Sequence, residues 1–180
     1  RDLLTNTTRS SSSGKNMVLV GNPTYYTHAP EESRTIPALV GTEMEVKSID
    51  KYMLTQKWKT QVYLNSSATE DTVKKVSNPT VLHISTHGFF WNQSDYSNSD
   101  LVESGSVNPL LTSGLILYNG GELMNMNNIY TINSEEGVLT AYEAMNLSLD
   151  KTEIVILSAC ETGLGEVQIG EGVFGLQRAF

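Results

Sequence analysis

A single cysteine, Cys160, stands among 180 residues, and that scarcity excludes two chemistries at once. No disulfide can form within the chain, and no cysteine-rich zinc module can be built. No stretch approaches the ~18 apolar residues a membrane-crossing helix needs. The start, Arg1-Asp2-Leu3-Leu4, also lacks the hydrophobic core of a signal peptide. Positive charge is short as well. Twelve Lys and Arg against 20 Asp and Glu leave a net charge of −8, a field that repels phosphate backbones and argues against a nucleic-acid groove. Such a field mildly favours basic peptides, although most acidic surfaces serve solubility. Asn-x-Ser/Thr sequons at Asn6, Asn65, Asn92 and Asn146 matter only in a secreted protein, and nothing else points there. The expectation is a cytoplasmic protein without membrane or nucleic-acid contact.

What is present is ordinary globular material. An apolar fraction of 39% with 18% charged residues supports one folded domain with a real core. Residues 1–16, with four serines in a row from Ser10 to Ser13, read as a polar linker or tail. Met17-Val18-Leu19-Val20, stopped by Gly21-Asn22-Pro23, reads as a buried strand. Thr42 and Glu45 are spaced as a capping box, followed by Val46, Ile49 and Met53 at helical spacing. The same grammar recurs in a strand over Gln61 to Leu64 and a helix capped by Ser67 and Glu70. A third strand covers Thr80 to Thr86 and ends at His87-Gly88. A polar excursion then leads to the apolar run Gly114 to Tyr118, so the region from Asn92 to Gly137 reads as a loop plus a hairpin or added strand. Thr140 and Glu143 cap another helix, Glu153 to Ala159 forms a fourth core strand ending at Cys160, and Val173, Leu176 and Phe180 begin a last helix.

Strands alternating with helices in units of roughly 30 residues imply crossover connections and an α/β fold, a mostly parallel sheet with helices on both faces. Continuous apolar runs agree, because such strands are buried on both sides. The last helix reaches Phe180 without a cap or glycine stop, so the domain is expected to be truncated at its C-terminal end.

In an open parallel sheet, sites form beyond the carboxyl ends of the strands. His87 follows the third core strand and Cys160 the fourth, so the two fall at strand ends on one edge. A free thiol titrates near ~8.5 and needs a base or a cation to become a nucleophile at neutral pH. A histidine within reach supplies that base and can later protonate a leaving amine. Gly88 permits a sharp turn, so its N–H and that of Cys160 are candidate oxyanion donors. Taken alone, a lone cysteine after an apolar run is usually a small buried hydrophobe, and a lone His-Gly is usually a turn. The paired placement is what makes chemistry credible.

His87-Gly88 after Val81-Leu82-His83-Ile84-Ser85-Thr86, with Leu157-Ser158-Ala159-Cys160-Glu161-Thr162-Gly163 further on, resembles the CHAT family. These are caspase-like domains often joined to tetratricopeptide repeats, within the wider caspase, gingipain, legumain and separase group. The resemblance extends to Leu39-Val40-Gly41-Thr42-Glu43-Met44-Glu45-Val46, to Gly137 through Glu143, and to Gly170 through Phe180, so it spans residues 17–180. It implies a cysteine endopeptidase with His87 and Cys160 on the two catalytic positions and no cofactor. It also implies a protein or peptide substrate, and upstream repeats or a remaining C-terminal part of the domain as partners. A catalytically silent interaction or signalling module of the same fold is the alternative.

Other readings fit less well. A zinc site from His83, His87 and Cys160 would want its histidines on a helix, whereas this segment is strand-like, so His83 reads as a hydrogen-bonded core residue and no metal is expected. Gly163-Leu164-Gly165 opens a dinucleotide-like turn, but Gln168 replaces the third glycine and Glu161, Glu166 and Glu171 would repel a pyrophosphate. Gly14-Lys15 lacks the rest of a Walker loop, since Arg9 stands where the first glycine should be. Glu161 is a candidate for recognising a basic substrate residue, although a carboxylate there more often caps the following turn or points to solvent. Trp91, with Phe89 and Phe90, either walls a substrate groove or packs at the sheet edge.

Overall fold

The computed structural model describes residues 14–91, 108–125 and 136–159, together with Leu176, Ala179 and Phe180. Most of the opening polar segment, the polar excursion after Trp91 and nearly all of the terminal helix seen in the sequence lie outside the described residues.

Four strands form a fully parallel sheet: β1 (Asn16–Pro23), β2 (Lys59–Asn65), β3 (Val81–Ser85) and β7 (Ile154–Ser158), in the order β2-β1-β3-β7. Helix α1 (Val40–Thr55) covers one face, where Met17, Leu19 and Val81 meet Val46, with Ile49, Met53, Trp58 and Val62 around them. Gly21 allows this close approach, because a Cβ there would sit 2.7 Å from a Val46 methyl. On the other face Val18, Val20, Leu82 and Ile84 pack against Val73 of α2 (Glu70–Lys74) and Ala141 and Ala144 of α4 (Ala141–Ala144). Ala179, with Leu176 and Phe180, joins the same cluster. The fold is therefore α/β, with a mostly parallel sheet and helices on both faces. No helix among the described residues is long and apolar enough to cross a membrane.

A second, antiparallel sheet is built from β4 (His87–Phe90), β5 (Ser113–Ile116) and β6 (Val138–Thr140), with α3 (Gly120–Asn125) after β5. The sequence led us to expect His87-Gly88 in a turn after one strand, but His87 instead opens a new strand. The chain leaves the parallel sheet at Thr86, whose hydroxyl donates to the Ile116 carbonyl (2.5 Å) and accepts from the Tyr25 hydroxyl (2.9 Å). One side-chain hydroxyl thus ties the joint to the antiparallel sheet and to the loop that follows β1. Gly114 makes the crossing possible: a Cβ there would lie 2.9 Å from the Phe89 ring and 2.9 Å from Thr140 Cα. The added strand expected between Asn92 and Gly137 is β5, and its partners β4 and β6 flank that region.

The capping expectations divide. Thr140 and Glu143 form the full reciprocal box at the start of α4. At α1 the cap position is Leu39, with no side-chain cap bond. Thr42 instead donates to the Leu39 carbonyl and accepts from the Asn22 N–H, while Glu45 turns toward the sheet. At α2 the cap is Thr69, which accepts from the Thr72 N–H, and Ser67 bonds Leu64. Glu70 is buried rather than capping: it accepts from the N–H groups of Gly137 (2.8 Å) and Val138 (3.1 Å) and pairs with Lys74, fastening α2 to β6. Burial pushes its carboxyl above the ordinary range, against the opposing pull of the Lys74 hydrogen bond. Spacing alone could not tell these three motifs apart, because each local bond competed with a tertiary partner.

Candidate functional site

The carboxyl ends of β3 and β7 define the site. The two strands are adjacent and parallel, and the register aligns Ser85 with Ser158, so their ends are level. Glu45, reaching down from α1, accepts from Ser85 Oγ (2.8 Å) and from Ser158 Oγ (3.4 Å), clamping the two ends together. His87 lies two residues beyond one end. Cys160 lies two residues beyond the other in sequence and, with Glu161, falls outside the described residues. Ala159, its immediate predecessor, is described: its Cβ is 3.7 Å from the position a Gly88 Cβ would occupy. The backbone leading to the only thiol therefore runs beside the residue that follows His87.

His87 is 1% exposed. Its Nε2 is 2.8 Å from the carbonyl oxygen of Pro37, in the loop between β1 and α1. A carbonyl can only accept, so Nε2 carries the ring proton and Nδ1 of the neutral ring holds a lone pair. That Nδ1 is buried and has no hydrogen-bond partner among the described residues. The Tyr25 ring lies against the imidazole with centroids 5.2 Å apart and planes at 47°, limiting its rotation. Burial holds the His87 pKa below the usual imidazole value, and the Pro37 carbonyl offsets part of that effect. The ring is therefore neutral at physiological pH: an oriented base whose buried acceptor nitrogen is unpartnered among the described residues.

Gly88 pairs with Leu115 across the β4–β5 ladder. The Trp91 N–H donates to the Thr112 carbonyl (2.8 Å), which sets the alternation of that ladder. Counting back, Phe89 is a hydrogen-bonded position and Gly88 is not, so the Gly88 N–H points away from β5. It is left for another acceptor on the side opposite β5.

His83, four residues earlier, belongs to a different environment. It is buried on the α1 face, with Nε2 3.1 Å from Glu45 Oε1 in an ion-pair contact. Burial lowers its pKa and Glu45 pulls it back up. It is a core histidine, as the sequence suggested, but the expected hydrogen bond is replaced by that ion-pair contact, and neither ring nitrogen has a hydrogen-bond partner among the described residues. Trp91 is 5% exposed and packs edge-on to Phe89 at 5.7 Å, within a second core cluster that also contains Tyr25, Tyr26 and Ile36.

Sequence reasoning missed Pro37, Tyr25 and Glu45. A backbone carbonyl leaves no residue-type signature, so nothing could have identified Pro37. Glu45 carried a misleading signal, since its spacing from Thr42 suggested capping.

Residues 1–180 match the family model described as the CHAT domain, a span that takes in the opening polar segment as well. No curated protein and no solved structure matches the chain.

Proposed function

Because the chain belongs to the CHAT domain family, whose members are caspase-like and peptidase-related, we propose that it is a cysteine endopeptidase domain acting through His87 and Cys160. The observation that carries this reading is the state and place of the His87 ring. Its Nε2 proton is engaged by Pro37, its Nδ1 is buried with no hydrogen-bond partner among the described residues, and the next residue, Gly88, lies beside Ala159, which leads to the only thiol. His83 also has an unpartnered Nδ1, so it is the position at the strand ends that favours chemistry at His87.

In the proposed reaction His87 Nδ1 takes the proton from the Cys160 thiol, and the sulfur attacks the carbonyl carbon of a peptide bond. The carbonyl oxygen becomes an oxyanion, for which the N–H groups of Gly88 and Cys160 are the proposed donors. As the C–N bond breaks, the imidazolium returns its proton to the departing amine. A water, deprotonated by His87, then hydrolyses the thioester, releasing the acid and restoring the thiol. The Pro37 carbonyl stabilises the imidazolium at the intermediate stage through its bond to Nε2. No side-chain carboxylate contacts the His87 ring among the described residues, so a backbone dipole serves as orienter.

The substrate is a protein or peptide, and regulation by attached tetratricopeptide repeats or by a partner in the cytoplasm belongs to the same proposal. Glu161 is the proposed contact for a basic substrate side chain, and Trp91, through its packing on Phe89, the proposed support for a groove wall.

An electrophilic peptide probe tests the reading on the activated full-length protein, compared with Cys160→Ala and His87→Ala. Labelling that needs both residues is expected. Absence of Cys160-dependent labelling would overturn the peptidase reading and leave the silent interaction module in its place.

A further inference from the structure

The carbonyl of Pro37 has to be aimed. It lies on a loop, residues 24–39, whose course is held largely by the short helix α3 of the antiparallel sheet. Glu122 Oε1 accepts from three consecutive backbone N–H groups, those of Thr27 (2.9 Å), His28 (2.7 Å) and Ala29 (3.3 Å), and from the Thr27 hydroxyl (3.3 Å). One turn on, Asn125 donates from Nδ2 to the Ser33 carbonyl (2.8 Å) and accepts at Oδ1 from the Thr35 hydroxyl (2.9 Å). The Tyr26 hydroxyl accepts from the N–H groups of Thr35 and Ile36, both at 3.0 Å. Pro37 follows directly. Its ring fixes φ, and on its other side Leu39 is anchored by two bonds from Thr42.

A carboxylate committed to this many donors is unusual for a half-exposed glutamate. The N–H groups of His28 and Thr27 hold its pKa below the ordinary range, so it works as a charged acceptor. Glu122 and Asn125 have their hydrogen bonds to the loop and not to the His87 ring. Their shared product is the position of the loop that presents one carbonyl to His87 Nε2.

We propose that Glu122 and Asn125 are positioning residues for His87: by lashing residues 27–35 to α3 they fix the Pro37 carbonyl, and so hold the imidazole in the tautomer whose Nδ1 is basic. The idea deepens the peptidase reading, but its physical core is a ring tautomer that can be observed without any substrate.

The test is nitrogen NMR of the three histidine rings in the full chain, with the His87 signals assigned by their loss in His87→Gln. In the unsubstituted protein His87 is expected as a single Nε2–H tautomer. In Glu122→Ala/Asn125→Ala the preference, worth about tenfold for one hydrogen bond, collapses toward a mixture, while the His83 signals stay in place as the internal control for folding. With a peptidase assay in hand, kcat is expected to fall about tenfold with KM little changed, since a misaimed base costs the reacting step. A merely structural role would lower Tm and leave the tautomer alone. A folded double variant in which His87 keeps its single tautomer overturns the proposal, as does a mixed tautomer in the unsubstituted protein. Should the double variant not fold, Asn125→Ala by itself is read in the same way. A tautomer that shifts in a protein without Cys160-dependent activity would sink the peptidase reading and leave the positioning role standing.

Discussion

The two sheets each bury one histidine, only four residues apart, and treat them differently. On the parallel sheet His83 faces α1 and meets a carboxylate, Glu45, at 3.1 Å. At the start of the antiparallel sheet His87 meets a single carbonyl through Nε2. Each ring has an Nδ1 without a hydrogen-bond partner among the described residues, so an unsatisfied nitrogen does not by itself set one histidine apart. What differs is the partner and the place: His83 faces a carboxylate from α1, whereas His87 is bonded to a backbone carbonyl just beyond the strand that neighbours the one leading toward Cys160. The lesson is that histidine burial alone says nothing about function; the partner and the position in the fold do.

The largest effect that can break this comparison lies in catalysis. His87→Ala should lower Cys160-dependent peptide cleavage by about a thousandfold, in the range of a lost general acid–base. His83→Gln, with the same assay, should change it by less than about threefold. Comparable losses in both variants would erase the distinction. In stability the two sheets should also part. Leu115, fully buried on β5, is expected to cost about 2–5 kcal/mol as Leu115→Ala. Ile156, 41% exposed on β7, should cost less than about 1 kcal/mol as Ile156→Ala. Denaturant titrations of both variants measure this directly.

The pH dependence of folding sharpens the pair of histidines further. Burial holds both rings below the ordinary imidazole value, near ~6.5, at which they titrate once unfolded. As pH falls through that value the unfolded chain binds protons that the folded chain refuses, so stability is complete above it and declines on acidification. Melting curves at successive pH values should show the decline shrink in His87→Gln. It should shrink in His83→Gln as well, since that ring too is held below the ordinary value by burial. The smallest effect concerns the caps: Thr140→Ala should cost about 1 kcal/mol at α4, readable as a modest loss in Tm. Thr42→Ala leaves the Leu39 cap position of α1 as it is, but it removes the hydroxyl bonds to the Leu39 carbonyl and from the Asn22 N–H, so any loss in Tm reports those tertiary bonds rather than a cap.

Much of the α/β framework was legible. Met17 to Val20 and Val81 to Ser85 were visible as continuous runs because these parallel strands are buried on both faces. Ile154 to Ser158 was equally visible, although Ile154 and Ile156 are exposed at the end of the sheet. The second sheet was legible only in pieces. The run through Thr86 into His87, Gly88 and Phe89 looks like one strand meeting a turn. Only the bond from Thr86 to Ile116, thirty residues away, shows that the chain changes sheets there. For the site, the strand-end logic brought His87 and the approach to Cys160 to adjacent, level strands, as the register of Ser85 with Ser158 shows. The orienting partner escaped, since the group that matters at residue 37 is a carbonyl every residue possesses.

By itself, then, the sequence determined which residues could do chemistry here and which strands would carry them, because residue type and apolar periodicity are local properties. It determined the lone thiol, the histidine after the third core strand and the true cap at Thr140. Only the tertiary structure decided that Glu45 and Glu70 serve the interior rather than their helices, that His87 opens a second sheet, and that its ring is held by Pro37 through a loop fastened to α3. Those outcomes depend on which groups meet across the fold, where one carboxylate or carbonyl is claimed by the strongest partner that packing brings within reach.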